Sequence, residues 1–273
     1  MRGARRSGGS YEHHPPLGEQ THDGQTQNGG SYEHRPLHDE LTHGGQKQND
    51  ETCEAFVLFV EKFSEGMYGE SSMEDLFPFK EGTEYSCLKT TEEGSYSITR
   101  RRDANRVMMF LEYALGPLDI KSITDATACN GGDTLNFALK FKEVKSIEIN
   151  NDNFETLKHN IGIYNLSNVE LFHGDCTKIL NWHTDVLYID PPWGGPNYRI
   201  HENLDLFLSG KRLDIWIEEL LQKPYRPNYI VLKVPQNFNF GRLFFFSKIF
   251  ELKHYRIRSY FIVILKISQG KNQ

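Results

Sequence analysis

The stretch S-I-T-D-A-T-A-C-N-G-G-D-T (residues 122–134), followed by E-V-K-S-I-E-I-N (residues 143–150), decides the fold. The first run is a short strand, 122–126, that ends in an acid and a glycine pair. The second alternates apolar and polar residues, as a strand does. Between them, residues 134–141 carry apolar residues at helical spacing. Working outward, residues 153–164 predict a helix, 169–173 a strand, and 185–189 (D-V-L-Y-I) a buried strand. Residues 213–222 read as a helix and 229–234 as a strand. Two β-rich runs, 250–258 and 260–267, close the chain. Strand–helix alternation of this kind predicts an α/β fold, a doubly wound, mostly parallel sheet. The last two runs, joined at Ser259, add an antiparallel hairpin. Ligands of such sheets sit beyond the carboxyl ends of the strands, so the residues just after each strand carry the chemistry.

Upstream the pattern changes. Residues 103–115 read as a helix with Val107, Met108, Phe110, Leu111 and Leu115 inward, stopped by Gly116-Pro117. Phe110 and Tyr113 are expected in the core, as is the run 244–246. Residues 66–99 read as irregular, and 53–63 as a helix. The first fifty residues hold only Leu17, Leu37 and Leu41 as branched aliphatics, too little apolar surface to offset ordering entropy. They are expected to be a disordered, low-complexity leader. It contains a two-copy repeat: G-G-S-Y-E-H starts at Gly8 and again at Gly29, a period of 21. Two copies without an apolar face do not make a solenoid. The histidines there, His13, His14, His22, His34, His38 and His43, match no closed zinc spacing, so no metal is expected. The domain reading is a 1–50 leader, a 51–115 helical and irregular extension contributing to the substrate site, and a 116–273 α/β domain.

The formal net charge is −6. A nucleic-acid partner therefore requires locally concentrated basic residues. Arg100, Arg101, Arg102 and Arg106 form the densest cluster, either a solvated helix start or an RNA backbone contact. Cys53, Cys87, Cys129 and Cys176 show no C-x-x-C pairing. No apolar run approaches the ~18 residues of a membrane span. A soluble, intracellular, monomeric protein with free thiols is expected.

At the strand ends the residue types point to a nucleoside. Gly131 and Gly132 let backbone approach a ligand, or simply form a tight turn. Glu148 lies sixteen residues beyond Gly132, near the ~20-residue spacing at which an acid meets a ribose diol. Asp175, after the third strand, suits an adenine amino group. The strongest motif is D-P-P-W-G-G-P (residues 190–196). Two prolines stiffen the turn, so the Asp190 carboxylate and the Pro191 carbonyl converge as acceptors on a target amino group. Such an amine is a weak nucleophile; orientation against a methyl sulfonium lowers its barrier. Trp193 offers a face to a base, and a cationic 7-methylguanine gains ~0.5–2 kcal/mol there.

Residues from about 89 to 267 resemble the catalytic core of trimethylguanosine synthases, RNA cap guanine-N2 methyltransferases of the Rossmann-like class I fold that use S-adenosyl-L-methionine. The family's P-P-W-G-G-P-D-Y compares with Pro191 to Tyr198, and its D-x-x-x-G-x-G-G-N-T with Asp125 to Thr134. Its K-L-D-x-E-G-W-F-S-V-T-P aligns Lys89, Glu93, Gly94, Ser97 and Thr99. The resemblance implies that Thr99, Asp125, Gly131 and Gly132 line the methionine part of the cofactor. It implies that Glu148 holds the ribose and Asp175 the adenine. Asp190, Pro191 and Trp193 become the catalytic turn, with Lys89, Trp193 and Tyr198 facing capped RNA. Three residues depart from the pattern. Cys129 replaces the first motif glycine, Asp190 a serine, and Gln236 the arginine of P-R-N; Lys233 or the Arg100 cluster is expected to take over that arginine's phosphate contact. Asp190 also fits amino-methyltransferases of ribosomal guanine N2 or adenine N6, and Cys129 fits a non-catalytic cap-binding module.

Deleting residues 1–50 is expected to leave the melting temperature of the remainder unchanged in a thermal scan; a large drop would show that the leader docks.

Overall fold

The computed structural model describes residues 72–245 and 248–268. The repeat-bearing leader, the 53–63 helix, Phe246 and the side chains of Phe244 and Phe245 lie outside that description. Two short helices, α1 (Met73–Leu76) and α2 (Glu92–Ser97), flank a 3-10 turn at Tyr85–Cys87. Helix α3 (Arg101–Leu115) leads to strand β1 (Ser122–Asp125), helix α4 (Gly132–Ala138) and strand β2 (Glu143–Glu148). Next come α5 (Asn151–Ile163), β3 (Val169–His173), α6 (Cys176–Ile179) and β4 (Val186–Ile189). A two-strand ribbon, β5 (Phe207–Leu208) and β6 (Lys211–Arg212), precedes α7 (Leu213–Leu221). Strands β7 (Tyr229–Pro235), β8 (Ile249–Ile257) and β9 (Tyr260–Ile267) finish the chain.

The seven main strands order as β3-β2-β1-β4-β7-β9-β8. The first five are parallel; β9 runs antiparallel to β7 and to β8. This is the doubly wound, Rossmann-like class I methyltransferase fold with its terminal antiparallel hairpin. The chain leaves β1 toward β3 on one side and resumes at β4 on the other, so the sheet reverses between β1 and β4. Their carboxyl ends border the crevice where ligands of open sheets bind. Asp125 pairs in register with Tyr188, which sets the glycine turn beside the proline turn. Alternation drives the packing: Leu187 and Ile189 join one core, Val186 and Tyr188 the other.

Residues 72–99, read from the sequence as irregular, are irregular apart from two short helices and the 3-10 turn. Thr91 caps α2 by accepting from the Gly94 amide. Three buried asparagines hold the segment down. Asn130 Oδ1 accepts from the Thr91 amide (2.9 Å) and the Thr90 hydroxyl (3.0 Å), while its Nδ2 donates to Asn153 Oδ1 (3.1 Å). Asn160 exchanges both backbone bonds of Lys89, at 2.9 Å each. Helix α4 starts two residues before the predicted 134 and ends at Ala138, because Gly131 adopts a left-handed φ of 95° and starts the helix at once. Helix α3 buries Val107, Met108, Phe110, Leu111 and Leu115 as expected, but Tyr113 is 45% exposed. The inward stripe at 104, 107, 111 and 115 leaves position 113 off the core face.

Asn130→Ala removes acceptors and a donor from several buried groups at once. It should cost about 2 kcal/mol or more of unfolding free energy, read from urea denaturation. A loss within error of zero would mean that the asparagine clip is dispensable.

Candidate active site

The site grows from the ends of β1, β4 and β7. At β1, Asp125 is 1% exposed; its Oδ2 accepts from the Thr134 hydroxyl (2.7 Å) and its Oδ1 from the Thr127 amide (3.2 Å). Burial, with the neighbouring Asp133 charge, pushes its carboxyl up to about 8. The glycines are required by packing as much as by any ligand. A Cβ on Gly131 would stand 2.7 Å from Leu157 Cδ1, and one on Gly132 would stand 2.5 Å from Ile98 Cγ1. Cys129 holds a left-handed φ of 47° without being glycine. Its amide donates to Glu148 Oε2 (2.7 Å), and its Sγ lies 3.3 Å from Ser97 Oγ. Burial pushes the thiol up to about 11, so it stays protonated at neutral pH.

The two acids expected at the nucleoside both hold loops. Glu148 Oε1 accepts from the Asn150 amide at 2.7 Å, so each of its oxygens already serves a backbone donor. Burial raises its carboxyl. Asp175 caps α6, accepting from the Thr177 amide (2.9 Å) and hydroxyl (2.7 Å), with Lys178 3.0 Å away. Burial pushes its carboxyl up, but the Thr177 hydrogen bonds and the Lys178 ammonium outweigh it and hold the group at about 2.

At β4 the proline turn meets a lysine that the sequence reading left as a candidate for phosphates. Lys233, 5% exposed, pairs with Asp190 Oδ2 at 2.6 Å and donates to Thr99 Oγ1 at 2.7 Å. Thr99 in turn donates to Asp133 Oδ2 (2.6 Å), which also accepts from the Tyr188 hydroxyl (3.1 Å). The expected phosphate role of Lys233 is therefore corrected: its ammonium is spent inside the protein. Its signal was present in the sequence, a lysine midway along the otherwise apolar β7, where both faces of the sheet are covered.

Trp193 is half-buried. Its ring meets Tyr198 edge-on at 5.2 Å and tilts toward Tyr260 at 6.1 Å. Its Nε1 is buried without a hydrogen-bond partner, as are Asp133 Oδ1 and the Tyr260 hydroxyl. Pro191 is buried. Asn237 fixes the loop carrying Tyr198, donating to the carbonyls of Tyr198 (2.8 Å) and His201 (2.7 Å). Gln236 is occupied with the Arg258 carbonyl at 2.7 Å. Contacts therefore join Thr99, Asp190, Trp193 and Tyr198. Lys89 stands apart, its backbone held by Asn160 and its side chain exposed. Of the arginine cluster, Arg106 is buried against Asp103 at 3.1 Å, and Arg101 lies over Phe79.

Asp133 and Asp190 both act on Lys233, one Asp133 oxygen has no donor among the described residues, and Asp125, protonated at neutral pH, adds no charge. One carboxylate in excess of the ammonium suits a cationic ligand. Among the described residues no group of three or more His, Cys, Asp or Glu could hold a metal ion, and no helix is long and apolar enough to cross a membrane.

Residues 120–268, more than half of the chain, match the family model described as RNA cap guanine-N2 methyltransferase. The chain belongs to this family. It is 32% identical over 148 residues to an uncharacterized protein of Acanthamoeba polyphaga mimivirus, covering 53% of this chain and 57% of that protein. It is 34% identical over 111 residues to the trimethylguanosine synthase of Schizosaccharomyces pombe, covering 38% of this chain and 45% of that enzyme. The chain thus spans about half the length of the curated relatives it matches. A solved structure of a T. thermophilus 16S rRNA N2 methyltransferase, in complex with AdoMet and guanosine, superposes with a TM-score of 0.49 at 15% identity. It covers 60% of this chain and 43% of that one.

A carboxyl that holds its proton longer in the folded protein than in the unfolded chain adds stability at low pH and loses it as pH rises. Asp125 should therefore destabilise the ligand-free protein progressively from about pH 4 to about pH 8. Melting temperatures of wild type and Asp125→Asn across this range should diverge in that sense, with the variant less pH-sensitive. Parallel curves would rule out an unusual Asp125.

Proposed function

We propose that this protein is a soluble, monomeric methyltransferase that transfers a methyl group from S-adenosyl-L-methionine to the exocyclic N2 of 7-methylguanosine at an RNA 5′ cap. The observation that carries the reading is Trp193, presented by a proline-stiffened turn next to Asp190 with an unpartnered indole N–H. When bound, the cofactor supplies a sulfonium methyl; the C–S pair stays on sulfur as the new C–N bond forms, and the surplus N2 proton passes to water.

The chain's own residues do the positioning. Trp193 stacks on the purine, with Tyr198 bordering it. Asp190 and the Pro191 carbonyl accept hydrogen bonds from the two N–H groups of the amine, which orients its lone pair. Thr99, Asp125, Gly131 and Gly132 surround the methionine end, where the unpartnered oxygen of Asp133 favours a cation. Glu148 takes the ribose and Asp175 the adenine, each by acceptor capacity left over from its loop-holding bonds. Lys89, exposed at the start of its segment, reaches the cap phosphates.

A second reading keeps the chemistry and changes the substrate to ribosomal guanine N2 or adenine N6. It is favoured by a carboxylate, Asp190, ahead of the two prolines, and by Gln236 being tied to the Arg258 carbonyl.

Labelled-methyl transfer to 7-methylguanosine-capped RNA, uncapped RNA and DNA tests both. Capped RNA should be the preferred acceptor. Trp193→Ala should lower kcat/KM on it by at least the value of one lost base stack, about 1–3 kcal/mol, with cofactor affinity held. Near-normal turnover by Trp193→Ala would refute the stacking role, and preference for uncapped acceptors would favour the second reading.

A further inference from the structure

Lys233 is the cation on which the proline turn closes. Its ammonium has three protons. One goes to Asp190 Oδ2 at 2.6 Å and one to Thr99 Oγ1 at 2.7 Å, and the group lies 5.8 Å from the Trp193 ring centroid and 5.2 Å from that of Tyr260. Because Thr99 accepts from a charged lysine, its own proton must go to Asp133, so the direction of every bond in the chain is fixed. Asp190 Oδ1 accepts no hydrogen bond from the described residues, and the side chain is 19% exposed.

We infer, on the reading that an amino group is methylated at this turn, that Lys233 is a positioning residue that clamps Asp190 Oδ2 and leaves Oδ1 as one ionised, charge-compensated acceptor for the substrate amine. The alternative state of Asp190 is a protonated carboxyl, which donates where the amine also donates. Burial and the Asp133 charge push toward that state. Asp133 on α4, Asp125 on β1 and the Asp103–Arg106 pair on α3 surround the site, and Tyr188 on β4 and Tyr260 on β9 complete it. Burial raises the Asp190 carboxyl and the Lys233 ammonium pulls it back, leaving it at about 6. Burial likewise depresses Lys233, and Asp190 with Asp133 more than restores it. Each partner keeps the other charged.

The test is a ¹³C carboxyl titration of Asp190, assigned through its loss in Asp190→Asn, run beside the pH dependence of kcat. In Lys233→Met the Asp190 midpoint should rise by more than one pH unit and the acid limb of kcat should move with it. At pH 7, from a starting midpoint of about 6, a rise of about one unit should roughly halve kcat and a rise of about two units should lower it about tenfold, while KM changes little. Lys233→Arg, which keeps the charge, should return the limb toward its wild-type position. A merely structural lysine would lower the melting temperature in Lys233→Met and leave both the midpoint and the limb in place, and that result overturns the inference. If Lys233→Met does not fold, Asp190→Asn/Lys233→Met decides, since it removes both members of the Lys233–Asp190 pair together. A folded double variant whose kcat is flat from pH 5 to 8 supports the inference; one that keeps the acid limb overturns it. The titration needs no substrate. A shifted midpoint in a protein that methylates no guanine would therefore refute the cap reading and spare the clamp.

Discussion

At the carboxyl edge of this sheet one buried ammonium, Lys233, serves two acids, Asp190 and Asp133, beside the protonated carboxyl of Asp125. An isolated ion taken out of water costs several kcal/mol even after relaxation. Lys233 and Asp190 offset that cost for each other at 2.6 Å, and Thr99 passes the lysine's second bond on to Asp133. Thr99 belongs to the segment before α3, Asp190 to the turn after β4, Lys233 to β7 and Asp133 to α4. Four chain segments with no common secondary-structure element are therefore locked by one polar network. The site is rigid because breaking any link strands a buried charge.

This network also explains what the family pattern leaves puzzling. A carboxylate ahead of the proline pair looks, taken alone, like a stronger acceptor than a hydroxyl. With Lys233 bound, it is neutralised and keeps one oxygen free, so its net demand on the substrate differs less from that of a neutral residue. Cys129 is absorbed in a comparable way. The turn keeps a left-handed backbone at residue 129 despite the side chain, because the amide is held by Glu148 and the sulfur has space beside Ser97. The strain of a non-glycine residue there, of order 1 kcal/mol, is tolerated where the surrounding bonds over-determine the turn.

Much of the fold was readable because period-two and helical patterns survive burial. Strands β3 and β9 occupy the residues that alternation assigns them, and the order of elements alone implied the switch between β1 and β4. The misses have separate causes. Helix α2 has six residues and a glycine inside it, too short for periodicity, and it exists because Asn130, thirty and more residues away, satisfies its approach. Tyr113 looked apolar enough for the core but sits off the stripe. The site was legible where a residue follows a strand: Asp125, Glu148, Asp175 and Asp190 are all at strand ends. The candidate site was illegible where the proposed positioning residue lies inside a strand. Lys233 shows only as a charge within an apolar run, and its partner lies 43 residues earlier in the chain.

On the proposed reading, Glu148 and Asp175 would receive a ligand without spending all their acceptors on the fold. Each uses its carboxylate to tie down the loop that follows its strand, through a helix cap at Asp175 and two loop amides at Glu148. A carboxylate has about four lone-pair directions, so fixing the loop and receiving a ligand donor need not compete. Holding the acid by short bonds to the backbone also removes the rotamer freedom that a free side chain would surrender on binding. The same economy operates at the proline turn, where Asp190 gives one oxygen to the protein and keeps the other. Preorganisation here means that every acceptor meant for a ligand is already half-committed to the fold, which leaves little for binding to rearrange.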